Sequence, residues 1–123
     1  MALVLIIDDA STVRELIRRM LLSAQHSVIE AEDGEVGLAL FQEQRPALVI
    51  TDLLMPKKEG IETIQEIRRQ GREAKIIAMS GSTGPGRDLY LEAAKKLGAD
   101  AVLAKPFHAA KLLEIVNGLL GSN

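Results

Sequence analysis

Leu3-Val4-Leu5-Ile6-Ile7 is an unbroken apolar run that ends abruptly in Asp8-Asp9. A short run rich in β-branched residues suits a strand buried on both faces of a parallel sheet. The two carboxylates stand where that strand would leave the sheet. Similar short runs return at Ser27–Ala31, Ala47–Thr51, Ala74–Met79 and Ala101–Ala104.

Helical patterns separate these runs. Ser11 or Thr12 can cap a first helix, on which Val13, Leu16, Ile17, Met20 and Leu21 recur at helical spacing. Gly34–Gln44 is a second helix, although Gly37 weakens it, and Pro46 ends that pattern. Met55-Pro56-Lys57-Lys58 reads as a loop. Ile61, Ile64, Ile67 and Arg68 outline a third helix that Gly71 ends. Ser80 to Gly86 is a loop with three glycines. Arg87–Leu97 is a fourth helix with a core stripe at Tyr90, Ala93, Ala94 and Leu97, and with Gly98 at its C′ position. Leu89 and Leu91 fall off that stripe, as core edge or as an output surface. Lys105-Pro106 interrupts the last strand, and His108–Leu120 is the fifth helix.

Five β–α units in 123 residues, with no linker or repeat, predict an α/β fold with right-handed crossovers. A doubly wound open sheet fits this length, whereas a closed eight-stranded barrel needs about twice as much chain.

Composition removes several functions. Lys and Arg total 15 against 17 Asp and Glu, a net charge of −2, so no direct binding of nucleic acid is expected. Aromatics are 2%, too few for a base-stacking surface. There is no cysteine, which excludes disulfides, thiol catalysis and cysteine-ligated zinc. His26 and His108 are read as surface residues, too far apart in sequence for a multi-histidine metal site. No apolar run approaches the ~18 residues of a membrane span. The start of the chain lacks a basic leader and a cleavage site, so a cytoplasmic protein is expected.

In doubly wound sheets ligands sit beyond the carboxyl ends of the strands. Those ends carry Asp8-Asp9, Asp52, Ser80 and Lys105. Clustered carboxylates must protonate or find a cation, and an all-oxygen set suits Mg²⁺. A carboxylate so placed can attack a phosphoryl group, with Ser and Lys holding its other oxygens. Taken singly, each has a plainer reading. Asp8-Asp9 could cap the first helix, Ser80 could make a turn bond, and Lys105 could be a solvated surface lysine.

The set as a whole resembles the receiver domain of bacterial two-component response regulators. The carrying residues are Asp8-Asp9, Asp52 in Thr-Asp-Leu-Leu-Met-Pro with Gly60 after it, Ser80 after Ile-Ile-Ala-Met, and Lys105-Pro106-Phe107 after Gly98-Ala99-Asp100. The resemblance spans essentially the whole chain, read as one receiver domain over residues 1–123. It implies a flavodoxin-like strand order of 2-1-3-4-5, with helices on both faces. It implies Asp52 as phosphoacceptor, with Ser80 and Lys105 on the phosphoryl oxygens. It implies Mg²⁺ (or Mn²⁺) held by Asp9, Asp52 and the Leu54 backbone carbonyl, with Asp8 acting mostly through water. The donor would be a sensor histidine kinase or a histidine phosphotransfer protein. The product would be a switch that signals to a partner or downstream domain, rather than a turnover enzyme.

The resemblance also implies a cis Lys105–Pro106 bond. Members commonly carry Tyr or Phe where this chain has Val102, so the signal is expected to travel through the Gly81–Gly86 loop into the fourth helix. Leu54, two residues past the acceptor, is expected to exclude water and prolong the aspartyl phosphate. The chain is either a receiver domain alone or part of a larger regulator or hybrid kinase. Competing classes are a non-phosphorylated interaction module on this fold, a flavin-binding electron carrier, and an aspartate-nucleophile phosphatase. Asp8-Asp9 would repel a flavin phosphate, and the phosphatase usually needs a second Asp where Leu54 stands.

Overall fold

A computed structural model describes residues 1–53, 60–81 and 86–121. Among these residues five strands alternate with five helices. They are β1 (Leu3–Ile7), α1 (Ser11–Ser23), β2 (Ser27–Ala31), α2 (Gly34–Gln44), β3 (Leu48–Asp52), α3 (Gly60–Arg69), β4 (Lys75–Ser80), α4 (Gly86–Leu97), β5 (Ala101–Ala104) and α5 (Ala109–Leu120). The strands form one sheet in the order β2-β1-β3-β4-β5, and every neighbouring pair is parallel. This is the doubly wound α/β architecture the sequence predicts.

The side-chain period of two divides each buried strand between two cores. Leu5, Ile7, Val49, Ile76 and Ala78 pack with Phe41 of α2, Ile64 and Ile67 of α3, and Ala94 of α4. Val4, Ile6, Leu48, Ile50, Ile77 and Met79 pack with Ile17 and Leu21 of α1, and Leu112 and Val116 of α5. Both faces of β1, β3 and β4 are therefore covered, which is why their sequences read as apolar runs rather than alternations.

Several local expectations need correction. β3 and β4 each sit one residue later than the predicted 47–51 and 74–79, and they end in Asp52 and Ser80, the residues placed at those strand ends. α5 begins at Ala109 rather than His108, which is its N-cap. Neither Ser11 nor Thr12 caps α1; Ala10 is the N-cap and gives no side-chain bond. The α4 stripe is rotated from the expected one. Tyr90 and Leu97 are exposed, while Leu91 packs with Ala94 against the core. Short helices tolerate such a rotation when flanking residues are similarly apolar. His26 is buried, because its Nδ1 accepts from the Ala2 N–H at 3.1 Å and anchors the start of β1. Burial and the nearby N-terminal ammonium lower its pKa, while His108 is exposed. The Lys105–Pro106 bond is cis, as expected.

One arginine ties down the amino-terminal edge of the sheet. Arg68 donates to the carbonyls of Gly98 (2.9 Å) and Ala74 (2.7 Å) and to the Asp100 carboxylate (2.7 Å). The same Asp100 oxygen accepts from the Ile76 N–H. Gly98, at φ +133°, lies against the Arg68 stem, where a Cβ would crowd it. The side chain is 8% exposed, so its loss leaves partly buried acceptors unpaired. Arg68→Ala is expected to cost about 2–3 kcal/mol. A fall in the urea midpoint measures this; an unchanged midpoint would show that the three bonds contribute nothing net.

Candidate functional site

The opposite, carboxyl-terminal edge carries the polar residues. β1 delivers Asp8 and Asp9, β3 delivers Asp52, β4 delivers Ser80, and Lys105 follows β5. One carboxylate oxygen from each of Asp8, Asp9 and Asp52 lies within 4.8 Å of the other two. The Lys105 ammonium stands 2.7 Å from Asp8 Oδ2 and 3.5 Å from Asp52 Oδ1. Ser80 joins this edge through the sheet, since its carbonyl accepts from the Lys105 N–H at 2.9 Å. All five side chains named from the sequence therefore come from one edge. Leu54 lies outside the described residues, as do the loop residues 82–85.

Burial differs sharply within the cluster. Asp8 and Ser80 are fully buried, Asp52 is 7% exposed, and Asp9 faces solvent. Asp8 is fixed on every side: its N–H donates to Ala31 O, Oδ1 accepts from the Ala10 N–H, and Oδ2 accepts from Lys105. The capping reading of this residue is thus partly right, because Asp8 orders the entry to α1 just ahead of the helix. Burial pushes the Asp52 carboxyl up to about 6; Lys105 opposes this and Asp8 reinforces it. Among the described residues one ammonium, which reaches only Asp8 and Asp52, stands against three carboxylates, so negative charge is left uncompensated. An all-oxygen donor set of that kind fits a hard divalent cation.

Gly60, the first residue of α3, explains how Asp52 is seated. A Cβ there would collide with the Asp52 carbonyl and come within 2.8 Å of Leu53 Cα, both main chain. Its N–H also donates to Leu53 O at 3.1 Å. α3 therefore abuts the strand end that carries Asp52 only because no side chain intervenes. An apolar cleft of about 400 Å³, lined by Val13, Leu16, Gly81, Lys105, Pro106 and Phe107, borders the cluster. Val102 packs, partly buried, on the α2–α3–α4 side of the sheet, paired with Ala78.

The family described as response regulator receiver domain matches residues 4–117. The chain belongs to the response regulator receiver family. It is 34% identical over 118 residues to the chemotaxis protein CheY of Bacillus subtilis, covering 95% of this chain and 96% of that one. It is 35% identical over 119 residues to the response regulator MprA of Mycolicibacterium vanbaalenii, where it spans only 49% of the relative's length. A solved response regulator receiver domain from Clostridium thermocellum superimposes with a TM-score of 0.90 at 31% identity, covering 98% of this chain and 95% of that one. As a receiver domain, it is a phosphorylation-controlled signalling element.

Residues that the sequence reading passed over also shape this receiver site. Arg14 donates from Nη1 to the Asp8 carbonyl at 2.6 Å and from Nε to Glu30 at 3.1 Å. The available signal was Glu30, the one charge in the β2 run, lying within reach of the first turn of α1.

The raised Asp52 pKa has a definite sign. Between about pH 4 and 6 the folded receiver holds a proton that the unfolded chain has released. Stability of the metal-free protein therefore falls as pH rises through this window, then levels off. The ionised carboxylate costs about 3 kcal/mol at neutral pH, at ~1.4 kcal/mol per pH unit. Asp52→Asn removes that charge and leaves Lys105 paired with Asp8. It is expected to stabilise the metal-free protein by roughly 1–3 kcal/mol at pH 7.5 and by little at pH 4. Chemical denaturation at both pH values in a chelator measures this; equal effects would sink the assignment.

Proposed function

We propose that this receiver accepts a phosphoryl group on Asp52 from the phosphohistidine of a sensor histidine kinase or phosphotransfer protein, and signals by the resulting change of shape. The observation that carries the reading is the Lys105 ammonium bridging Asp8 and Asp52 across three strands. In this reading an Asp52 carboxylate oxygen attacks phosphorus. The new bond is an acyl phosphate; the bond that breaks is the phosphorus–nitrogen bond of the donor, and the leaving imidazole keeps its electron pair and takes up a proton. Asp52 must be ionised to attack, which its pKa of about 6 permits at neutral pH.

Asp8, Asp9 and Asp52 are the residues that would hold Mg²⁺ or Mn²⁺, with the Leu54 carbonyl that the family resemblance adds. When bound, the ion neutralises charge on the transferring phosphoryl oxygens. Lys105 would leave Asp52 for a phosphoryl oxygen while staying within reach of Asp8. The Ser80 hydroxyl would donate to another oxygen. Burial of Asp52 and Ser80 keeps bulk water from competing for these contacts.

Residues 1–123 constitute one receiver domain in this reading. It works as a switch that makes and loses its own aspartyl phosphate, not as a turnover enzyme. Among the described residues no helix is long and apolar enough to cross a membrane, and cytoplasmic action is proposed. Its downstream target is a protein or a further domain.

The test is incubation with a small acyl phosphate and Mg²⁺, read by intact mass. One phosphoryl group is expected to add, and none in a chelator or in Asp52→Asn. Lys105→Met is expected to slow labelling about 100-fold or more, the usual loss when one charge-stabilising group is removed. Undiminished labelling of Asp52→Asn would overturn the acceptor assignment.

A further inference from the structure

We infer that Arg14 is a positioning residue for the metal-binding carboxylates, acting through the peptide that joins Asp8 to Asp9. The inference rests on the reading that this cluster holds a divalent cation. The Asp8 side chain is immobilised by Ala10 and Lys105, as described. Asp9 has no such support: it is exposed, and among the described residues its carboxylate has no partner. Its position depends on the backbone that leads into it.

That backbone is held by Arg14. Nη1 grips the Asp8 carbonyl at 2.6 Å, and this carbonyl belongs to the peptide whose nitrogen is that of Asp9. Nε is anchored on Glu30 at 3.1 Å, and Glu30 stands in register with Ile6 of the neighbouring strand. One planar guanidinium therefore braces the end of β1 against β2. The side chain is 17% exposed, so these bonds are partly shielded from water. A lysine has the charge but not the fork that reaches both acceptors at fixed angles. Groups that orient metal ligands through their neighbours typically change affinity 10–100-fold when removed.

Charge alone predicts the opposite effect. Arg14 is a cation beside an acidic cluster, so removing it should favour binding of another cation. A positioning role predicts weaker binding instead, and the sign separates the two.

The experiment is calorimetric titration of the whole chain with Mg²⁺ and, separately, Mn²⁺, at one pH and ionic strength. Arg14→Gln is expected to weaken both by tenfold or more. Arg14→Lys, which keeps the charge and is the milder change, is expected to fall between Arg14→Gln and the wild type. The melting temperature in a chelator serves as a control, because a merely structural role would lower it without changing the affinity of the folded protein. Affinity that is unchanged or increased in both variants overturns the inference. A wild-type chain that binds neither ion overturns the underlying reading of the site instead.

Discussion

A single ammonium group sets the geometry of the functional edge. β1 and β3 end in carboxylates packed too closely to be ionised together without a counter-charge. The counter-charge comes from beyond β5, two strands away from β3 in the sheet. To arrive, the Lys105 stem runs past Gly81, where a Cβ would lie 3.4 Å from Lys105 Cδ. Its ammonium then reaches the fully buried Asp8. This works only if all these strands run parallel, so that their carboxyl ends share an edge. The strand order and the burial of Asp8 at the shared edge are what let one lysine reach two acids.

The two edges of the sheet solve opposite problems. At the amino-terminal edge Arg68 satisfies two carbonyls and one carboxylate, so charge and hydrogen bonding are in balance there. Among the described residues the carboxyl-terminal edge is out of balance, with three acids for one ammonium and a carboxyl raised to about 6. Such an edge is less stable by itself and more responsive to added charge or a cation. Stability is concentrated where nothing has to change.

The fold was legible because β1, β3 and β4 are buried on both faces, which leaves uninterrupted apolar runs that no surface strand would show. The acidic edge was legible because strand ends are marked by the switch from apolar to charged residues. What stayed hidden depends on direction rather than composition. The α4 stripe could not be read because Leu89, Tyr90 and Leu91 are all apolar enough for either face, and only packing against the core that contains Ala94 selects Leu91. His26 looked like a surface residue because no sequence pattern announces that the Ala2 amide needs an acceptor. Ser11 and Thr12 looked like caps because they precede the helical pattern, yet Asp8 already orders the entry to α1 through the Ala10 N–H. Arg14 was passed over, since its two acceptors, the Asp8 carbonyl and Glu30, lie outside its own helix.

Phosphorylation in the proposed reading changes the load on Lys105, and the sheet decides where that change goes. An acyl phosphate carries more negative charge than the carboxylate it replaces. Lys105 presently favours Asp8 at 2.7 Å over Asp52 at 3.5 Å, so the added charge on Asp52 would shift that balance toward the phosphoryl oxygens, with Asp8 still within reach of the ammonium. Its main chain cannot follow freely, because the Lys105 N–H is bonded to Ser80 O and Ala104 stands in register with Ser80. The ends of β4 and β5 are therefore one mechanical unit, carrying both residues that would contact the phosphoryl group. A pull on either is felt by the chain leaving both, toward α4 on one side and α5 on the other. Val102 sits on β5 within this unit but packs on the core instead of presenting a ring. In that reading the sheet edge itself, rather than a rotating side chain, would link the acceptor to the helices.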